Sequence, residues 1–309
     1  MQSEERIRAG QSGLRFLEAA YQERAGYQCF VSSTPDMLHP VSSPEAYLYP
    51  GLQEFPAENF SNMVIFELVF RDQPGSRIGH AILNNLRCKH RCGIFPFFQT
   101  EGLLPPEVDS TSLGVSILAE TGNIEDDAVK HAVGKILANT NQAGVIEVYF
   151  PPSGHRHYVD PVVCVNALYL LTLVGRAQEA SKTADYIADH LCSQAYLAGT
   201  RYYSSADLFL YFGSRLVERF PQQHARFGQL LRQAIQARRG ATKTPLETAA
   251  RLIAAKRAGV SNEVDERTLL LAQVDDGGWP ADAFYTFGRR HGYFGGREVT
   301  TAFAVNALA

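Results

Sequence analysis

The 309-residue sequence lacks an excess of charge of either sign, with 29 Lys and Arg against 32 Asp and Glu and a net charge of −3. A basic nucleic-acid-binding protein would carry a clear positive excess, so that class is excluded. Charged residues make up 20% of the chain and hydrophobic residues 45%, which excludes a disordered or fibrous protein. We therefore expect a globular protein with a substantial core and no nucleic-acid partner.

Long hydrophobic runs are also missing. No segment approaches the roughly 20 consecutive apolar residues of a membrane span, and residues 1–13 lack the apolar stretch of a secretory signal. The five cysteines are an odd number, which argues against a disulfide framework and suits a reducing compartment. These features predict a cytoplasmic protein without a membrane span.

Three common catalytic signatures are absent from the sequence. There is no G-x-G-x-x-G after a strand pattern, no phosphate-binding P-loop and no G-x-S-x-G elbow. Nucleotide-dependent chemistry and serine hydrolysis therefore have no support from the sequence.

A repeat of apolar segments dominates what the sequence does contain. Segments that start with polar capping residues begin near positions 61, 109, 160, 207, 244 and 300. More polar, amphipathic stretches occupy 3–20, 77–89, 125–139, 178–194, 222–238 and 263–273. Apolar helices that alternate with amphipathic ones predict an inner ring sheltered by an outer ring. We expect an all-α fold, an (α/α)6 barrel of six helical hairpins that forms a single domain over 1–309; an open solenoid would have the same local pairing.

One turn of this repeat resembles a known motif. Gln273-x3-Gly277-x-Trp279 is similar to the second half of the QW repeat of squalene–hopene and oxidosqualene cyclases, and 296–308 resembles the inner helix that follows such a repeat. Glycine suits these turns because it can adopt the left-handed conformation that ends a helix. The resemblance implies that Trp279 packs outer helices against inner ones.

A second segment, 105–112, is similar to the aspartate-rich D-x-D-D-T-A segment of class II terpene cyclases. Laid over it, Glu107 takes the first acidic position, Asp109 the middle one and Ser110 the third, and Thr111 matches the threonine. The family's general acid is the middle aspartate, so the resemblance assigns Asp109 this role, with Glu107 and Ser110 adjusting its acidity. Ser110 departs from the pattern, as oxidosqualene cyclases also do with D-C-T.

The resemblance implies a terpene cyclase-like enzyme that protonates an isoprenoid or prenylated substrate and guides the carbocation through cyclisation. Asp160 and Asp207 hold positions equivalent to Asp109 in the next two repeats. They are candidates for accepting the final proton or orienting a water, but all three aspartates would also serve as helix caps. Class II cyclases place their cavity between two barrels. In this chain the barrel's own mouth, a homodimer or a second subunit would have to complete it.

Aromatic residues crowd the same connections, where their faces would stabilise a cation. An alternative is that they pack the two rings of helices together. The candidate substrate-binding residues are Phe95, Phe97, Tyr158, Tyr202, Tyr203, Phe284, Tyr285, Tyr293 and Arg297.

Arg297 closes a basic, glycine-rich segment, 289–297, that precedes a helix. Such a segment is an expected anion site, to which Arg156, His157 and Arg201 would contribute, unless it is simply a solvated loop. The resemblance implies no cofactor, with Mg²⁺ needed only for a diphosphate substrate.

Two further alternatives remain open from the sequence. A barrel that binds a lipid or prenyl chain, or serves as a partner-binding subunit, would carry out no chemistry. Another (α/α)6 enzyme, a prenyltransferase or a glycoside hydrolase, is the second. Cys88, His90 and Cys92 would supply zinc ligands, joined by His155 and His157, although they lack the spacing of a defined zinc module. The preferred interpretation has no metal.

Overall fold

The computed structural model describes residues 2–23, 26–42, 55–100, 102–151, 157–241, 244–287 and 292–309. Within these ranges the chain forms twelve α-helices and three short strands. The helices are α1 Gln2–Ala20, α2 Phe60–Ile65, α3 Arg77–Lys89, α4 Val108–Glu120, α5 Asp126–Ala138, α6 Pro161–Leu173, α7 Ser181–Cys192, α8 Ala206–Arg219, α9 Ala225–Ala237, α10 Pro245–Arg257, α11 Glu263–Leu271 and α12 Arg297–Leu308. A π-helical turn, Phe66–Phe70, extends α2.

The even-numbered helices form a closed inner ring. Each packs against the next, from α2 through α4, α6, α8 and α10 to α12, and α12 packs against α2. Every residue of α6 from Pro161 to Thr172 is buried. An outer helix buries one face only: α9 buries Phe227, Leu231 and Ile235, which are four residues apart and so lie on one side. The predicted (α/α)6 barrel of inner and outer helices is confirmed.

Most predicted helix starts lie within one residue of the observed ones, because the capping residues were recognisable. Asp160 caps α6, with Oδ1 accepting the N–H of Val162 at 2.8 Å. Two expected caps are wrong, however. Glu107 caps α4 and Ser205 caps α8, so Asp109 and Asp207 are each the second residue of their helix.

A small antiparallel sheet adds to the helices. Its strands are β1 Phe30–Ser32, β2 Ala283–Thr286 and β3 Tyr293–Gly295, in the order β1-β3-β2. It was not predicted, because strands of three or four residues leave no periodic pattern in the sequence. The sheet joins the segment after α1 to the segment before α12.

The QW-like turn fastens the outer helix α11 to both ends of the chain. The Gln273 side chain donates to the carbonyl oxygens of Ala9, at 2.9 Å, and Gly277, at 2.8 Å. The fully buried Trp279 donates its indole N–H to the Leu269 carbonyl at 2.8 Å. Gly277 has φ +89°, and a Cβ there would lie 2.7 Å from the Ser12 carbonyl oxygen, so glycine is required. These contacts give the turn a structural role.

None of the helices within the described ranges combines the length and the hydropathy needed to cross a bilayer.

Candidate active site

The N-terminal ends of the inner helices meet around a pocket at one end of the barrel. Short backbone pairings hold the segments that precede these helices: Glu58 lies opposite Phe98, and Glu107 opposite Tyr149. The pocket encloses about 540 Å³ of empty space, its opening to solvent included. It is lined by Phe60, Phe97, Leu104, Glu107, Asp109, Val148, Tyr149, Val163, Tyr202, Tyr203, Tyr285, Thr286 and Phe287.

Asp109 projects into this pocket from the first turn of α4. The residue is 7% exposed, and its carboxyl group is held by two neighbouring elements. Oδ1 accepts a hydrogen bond from the Asn166 side-chain amide of α6 at 2.7 Å. Oδ2 accepts one from the Tyr203 hydroxyl, just before α8, at 2.5 Å. The carboxyl group is therefore fixed in orientation, with one edge facing an aromatic cavity.

Glu107 lies directly beside Asp109 but has a different environment. Its Oε1 accepts the N–H of Ser110 at 2.7 Å, and Oε2 accepts the N–H of Asp109. Both oxygens thus bind the unpaired N–H groups of a helix N-terminus, which favours the ionised carboxylate.

Burial raises the pKa of both carboxyl groups of this pair. The charge of Asp109 raises the pKa of Glu107 further. For Asp109, the hydrogen bonds from Tyr203 and Asn166 lower the pKa, while the charge of Asp160 raises it. Two carboxylates so close together do not ionise together at low cost, so the pair retains a proton near neutral pH. Both carboxyl groups accept hydrogen bonds at both oxygens, so the retained proton is shared within the pair.

The other predicted catalytic residues lie outside the pocket lining. Ser110 is fully buried, and its Oγ has no hydrogen-bond partner among the described residues. Asp160 is buried behind the lining, where Oδ2 accepts the N–H of Tyr202 at 3.0 Å. Asp207 is paired with Arg238 and Arg251, each at 2.8 Å. The expectation that Asp160 or Asp207 faces the substrate therefore does not match their placement.

The candidate substrate-binding residues divide into two groups. Phe97, Tyr202, Tyr203 and Tyr285 line the pocket. Five others do not line it: Phe95, Tyr158, Phe284, Tyr293 and Arg297. Phe95 and Phe284 are completely buried, so they belong to the packing between helices that the alternative interpretation foresaw. Tyr293 is half-buried on β3.

Arg297 is on the outside of the barrel. Its guanidinium pairs with Asp276 at 2.6 and 2.8 Å and lies 4.6 Å from the centre of the Phe16 ring on α1. The structure thus places Arg297 away from the pocket, with its charge paired to that of Asp276. Of the other expected members of that site, Arg156 and 289–291 lie outside the described residues.

Arg201 is nearer to the pocket and faces two aromatic rings. Its guanidinium lies 3.6 Å from the centre of the Tyr158 ring and 5.7 Å from that of Tyr202. Its buried Nε has no hydrogen-bond partner among the described residues. His157 instead pairs with Glu147, with Nδ1 at 2.7 Å from Oε2.

The zinc alternative gains no support from the geometry. In the described part of the chain, no group of three or more His, Cys, Asp or Glu side chains is arranged to hold a metal ion. Cys88 and Cys92 are exposed, and His90 accepts the N–H of Gly93 through Nδ1 at 3.1 Å. His155 lies outside the described residues.

Sequence reasoning missed several residues of the site. Asn166 was the easiest of them to identify from the sequence. Apart from the Tyr169 hydroxyl, it is the one polar side chain in the apolar stretch from Val162 to Leu171. Glu58 and Phe60, at the start of α2, were also missed. Glu58 matches Glu107, and Phe60 matches Asp109, when the starts of α2 and α4 are aligned. That alignment rests on the hydrogen bonds from Ser61 and Ser110 to the two glutamates, which the structure shows.

Comparisons with known proteins relate this chain to terpene cyclases. A family model described as the sesquiterpene cyclase astC-like C-terminal domain matches residues 53–173. Drimenol cyclase drtB from Aspergillus calidoustus is 31% identical over 265 residues, which make up 81% of this chain and 46% of that protein. The chain therefore spans less than half the length of this relative.

Solved structures show the same architecture. The type II terpene cyclase MstE from Scytonema has a TM-score of 0.73 and 13% identity, covering 99% of this chain and 98% of that chain. An MstE variant bound to geranylgeranyl dihydroxybenzoate has a TM-score of 0.74 at 13% identity, over 99% and 97% of the two chains. A protein from Actinoplanes has a TM-score of 0.72 at 15% identity, over 98% of each chain. These structures share the (α/α)6 barrel fold of this chain. The two sequence matches bear out the resemblance to class II terpene cyclases drawn from the Glu-Val-Asp-Ser-Thr segment and the QW-like turn.

Proposed function

We propose that this protein is a class II terpene cyclase that protonates a linear isoprenoid or prenylated substrate and closes its rings through carbocations. The observation that carries the proposal is Asp109, a buried carboxyl group held by Asn166 and Tyr203 at the edge of an aromatic pocket. In this proposal the barrel's own end forms the cavity.

Proton transfer from Asp109 would create a buried carboxylate. Asn166 and Tyr203 already direct an N–H and an O–H at its two oxygens. They would stabilise the anion without reorganisation, as preorganised donors do at other sites where charge develops. In this proposal Glu107 is the ionised member of the pair, and its charge keeps the proton on Asp109 until the substrate takes it.

The carbocation that results needs walls that tolerate positive charge and exclude water. Phe60, Phe97 and Phe287 supply apolar rings, and Tyr149, Tyr202 and Tyr285 supply rings with polar edges. Aromatic faces attract cations through their quadrupole. The protonation step as proposed uses only protein groups, and Mg²⁺ would accompany the substrate only if that substrate is a diphosphate.

The relatives suggest which substrates to test first. The matching family model describes a sesquiterpene cyclase, and MstE is found with geranylgeranyl dihydroxybenzoate. Farnesyl diphosphate and geranylgeranyl dihydroxybenzoate are thus the first choices, with geranylgeranyl diphosphate, the free alcohols, squalene and oxidosqualene completing a panel.

The test is incubation of the purified protein with this panel and analysis of the products by mass spectrometry. Asp109→Asn is the inactive variant, and Asp127→Asn, at an exposed position on α5, is its matched control. We expect cyclised product from the wild type and the control but not from Asp109→Asn. Equal product from Asp109→Asn would contradict the role of Asp109. Tight binding of an unchanged substrate by the wild type would favour a prenyl-binding protein instead.

A further inference from the structure

Arg201 is a half-buried cation without a carboxylate partner among the described residues. Every other arginine that is buried or half-buried in the described part of the chain pairs with an aspartate or a glutamate. A partly desolvated charge is usually paired, because its burial is otherwise not compensated. The charge of Arg201 is therefore available to an anionic ligand.

The pocket has a buried floor and a half-exposed rim. Asp109 and Tyr203 are buried at the floor, whereas Tyr149, Tyr202 and Thr286 line the pocket and are half-exposed. The acid thus lies at the closed end of the pocket. A substrate that reaches the acid has to enter with its reacting end first and leave its other end at the rim.

Backbone contacts hold Arg201 at this rim. The Thr286 hydroxyl donates to the Arg201 carbonyl at 2.9 Å, and the Thr286 N–H donates to the Tyr202 carbonyl at 2.7 Å. The Arg201 guanidinium lies 3.6 Å from the centre of the Tyr158 ring and 5.7 Å from that of Tyr202, so the rings fix its position. Its Nε is enclosed by protein, which leaves the two terminal nitrogens to meet a ligand.

Electrostatics favour an anion at the rim over one at the floor. The Glu107–Asp109 pair carries negative charge near neutral pH and would repel an anion beside it. Burial raises the pKa of Tyr149 and of Tyr202, whereas the charge of Arg201 acts in the opposite direction on both. The positive charge of Arg201 therefore acts on the wall of the pocket at the rim.

We infer that Arg201 recognises an anionic head group of the substrate, a diphosphate or a carboxylate, at the rim of the pocket. This inference rests on the proposed cyclase function. The terminal nitrogens of an arginine match two oxygens of either group, and a neutral isoprenoid lacks such oxygens. No bond is made or broken at Arg201, which binds and orients the substrate. Farnesyl diphosphate and geranylgeranyl dihydroxybenzoate should thus be preferred over the free alcohols, squalene and oxidosqualene.

The test measures KM and kcat for farnesyl diphosphate, geranylgeranyl dihydroxybenzoate and farnesol, with Mg²⁺ present throughout. Arg201→Gln removes the charge. Because a hydrogen bond to a charged group is worth about tenfold or more in affinity, KM for an anionic substrate should rise about tenfold or more, with kcat changed less than about threefold. The values for farnesol should stay within about threefold. Arg201→Lys keeps the charge without the planar fork and should give an intermediate KM.

A second measurement does not depend on turnover. In an Asp109→Asn background, the dissociation constant of the anionic substrate should rise about tenfold or more when Arg201→Gln is added. A rise confined to farnesyl diphosphate would identify a diphosphate as the head group, and a rise confined to geranylgeranyl dihydroxybenzoate would identify a carboxylate. Thermal melts show whether Arg201→Gln is folded; if it is not, the comparison of Arg201→Lys with the wild type decides.

The control is Arg87→Gln, which removes one positive charge from an exposed position in the last turn of α3. It should change KM by no more than about twofold. Absence of product from the wild type with every substrate would overturn the proposed function itself. A wild type that forms product, with unchanged KM for both anionic substrates in folded Arg201→Gln, would overturn this inference alone. Equal kcat/KM for farnesol and farnesyl diphosphate in a wild type that does not turn over the benzoate would do the same.

Discussion

The starts of α2 and α4 have the same local structure but different chemistry. Glu58-Asn59-Phe60-Ser61 and Glu107-Val108-Asp109-Ser110 each place a glutamate three residues before a serine whose N–H it accepts, at 2.8 and 2.7 Å. Phe60 and Asp109 hold the same position, and both line the pocket. The repeat therefore directs two side chains from equivalent positions into the pocket. At α2 this side chain is the apolar Phe60, and at α4 it is the acidic Asp109.

The two glutamates also differ in how fully they are bound. Glu107 binds backbone N–H groups through both oxygens, whereas one oxygen of Glu58 has no partner among the described residues. The backbone N–H groups compensate the burial of both Glu107 oxygens, whereas the burial of Glu58 is compensated at one oxygen only. The two helix starts therefore hold their glutamates in different electrostatic environments.

The largest expected effect is that of Asp109→Asn. An amide preserves the shape of the side chain but has no acidic proton, so product formation should fall about 10³-fold, within the range for a lost general acid. The thermal unfolding midpoint should change little. Initial rates and a thermal melt would check this, and a loss that merely followed unfolding would contradict the assignment.

Glu107→Gln should follow, with a loss of about tenfold or more at neutral pH. Activity requires protonated Asp109, so it disappears as the pH rises through the pKa of Asp109. Removing the adjacent negative charge lowers that pKa, and the alkaline limb of the pH–rate profile should move to lower pH. A profile of kcat/KM between about pH 5 and 9 would show it. An unmoved limb would argue against charge coupling of the pair.

Asn166→Leu should move the same limb in the opposite direction. Asn166 donates to Asp109 at 2.7 Å and lowers its pKa, so its loss raises that pKa and extends activity to higher pH. The maximal rate should fall about tenfold, because the carboxylate that forms loses a preorganised donor. The same pH series measures Glu107→Gln and Asn166→Leu. If the alkaline limb moved in the same direction in both variants, this account of the site would be contradicted.

Glu58→Gln should change the pH dependence of stability. The pKa of Glu58 is raised by burial to about 7, so its contribution to folding is present below pH ~4.5 and is lost as the pH rises through 7. The wild type should lose about 2 kcal/mol more stability between pH 5 and 8 than the variant does. Urea unfolding at the two pH values would measure this difference. Asp127→Asn, at an exposed position on α5, is the control for this comparison.

Phe60→Leu should have the smallest effect. Phe60 is buried against Tyr203 and Phe284, with ring centres 6.3 and 6.0 Å away. A hydrophobic exchange of this kind costs about 1 kcal/mol in stability. Because Phe60 lacks a proton to give, we expect the rate to stay within about tenfold while the proportions of products change. A loss as large as that of Asp109→Asn would mean that the two helix starts are not distinguished by the acid.

The sequence alone determined the helices, their alternation between two rings and the candidate for the acid. Helix caps and apolar periodicity are local, so α6 and α10 were predicted within a residue of their starts. The resemblance of 105–112 to an aspartate-rich segment singled out Asp109 in the same way. These properties depend on residues close together in the chain.

The tertiary structure alone decided which polar groups share the pocket. Asp160 and Asp207 occupy nearly the same repeat position as Asp109, yet one caps its helix and the other is paired with Arg238 and Arg251. Asn166 reaches Asp109 across 57 residues of sequence, and Tyr203 across 94. A carboxyl group becomes an acid, a cap or a structural ion according to the burial and partners around it, and those are contributed by helices distant in the chain.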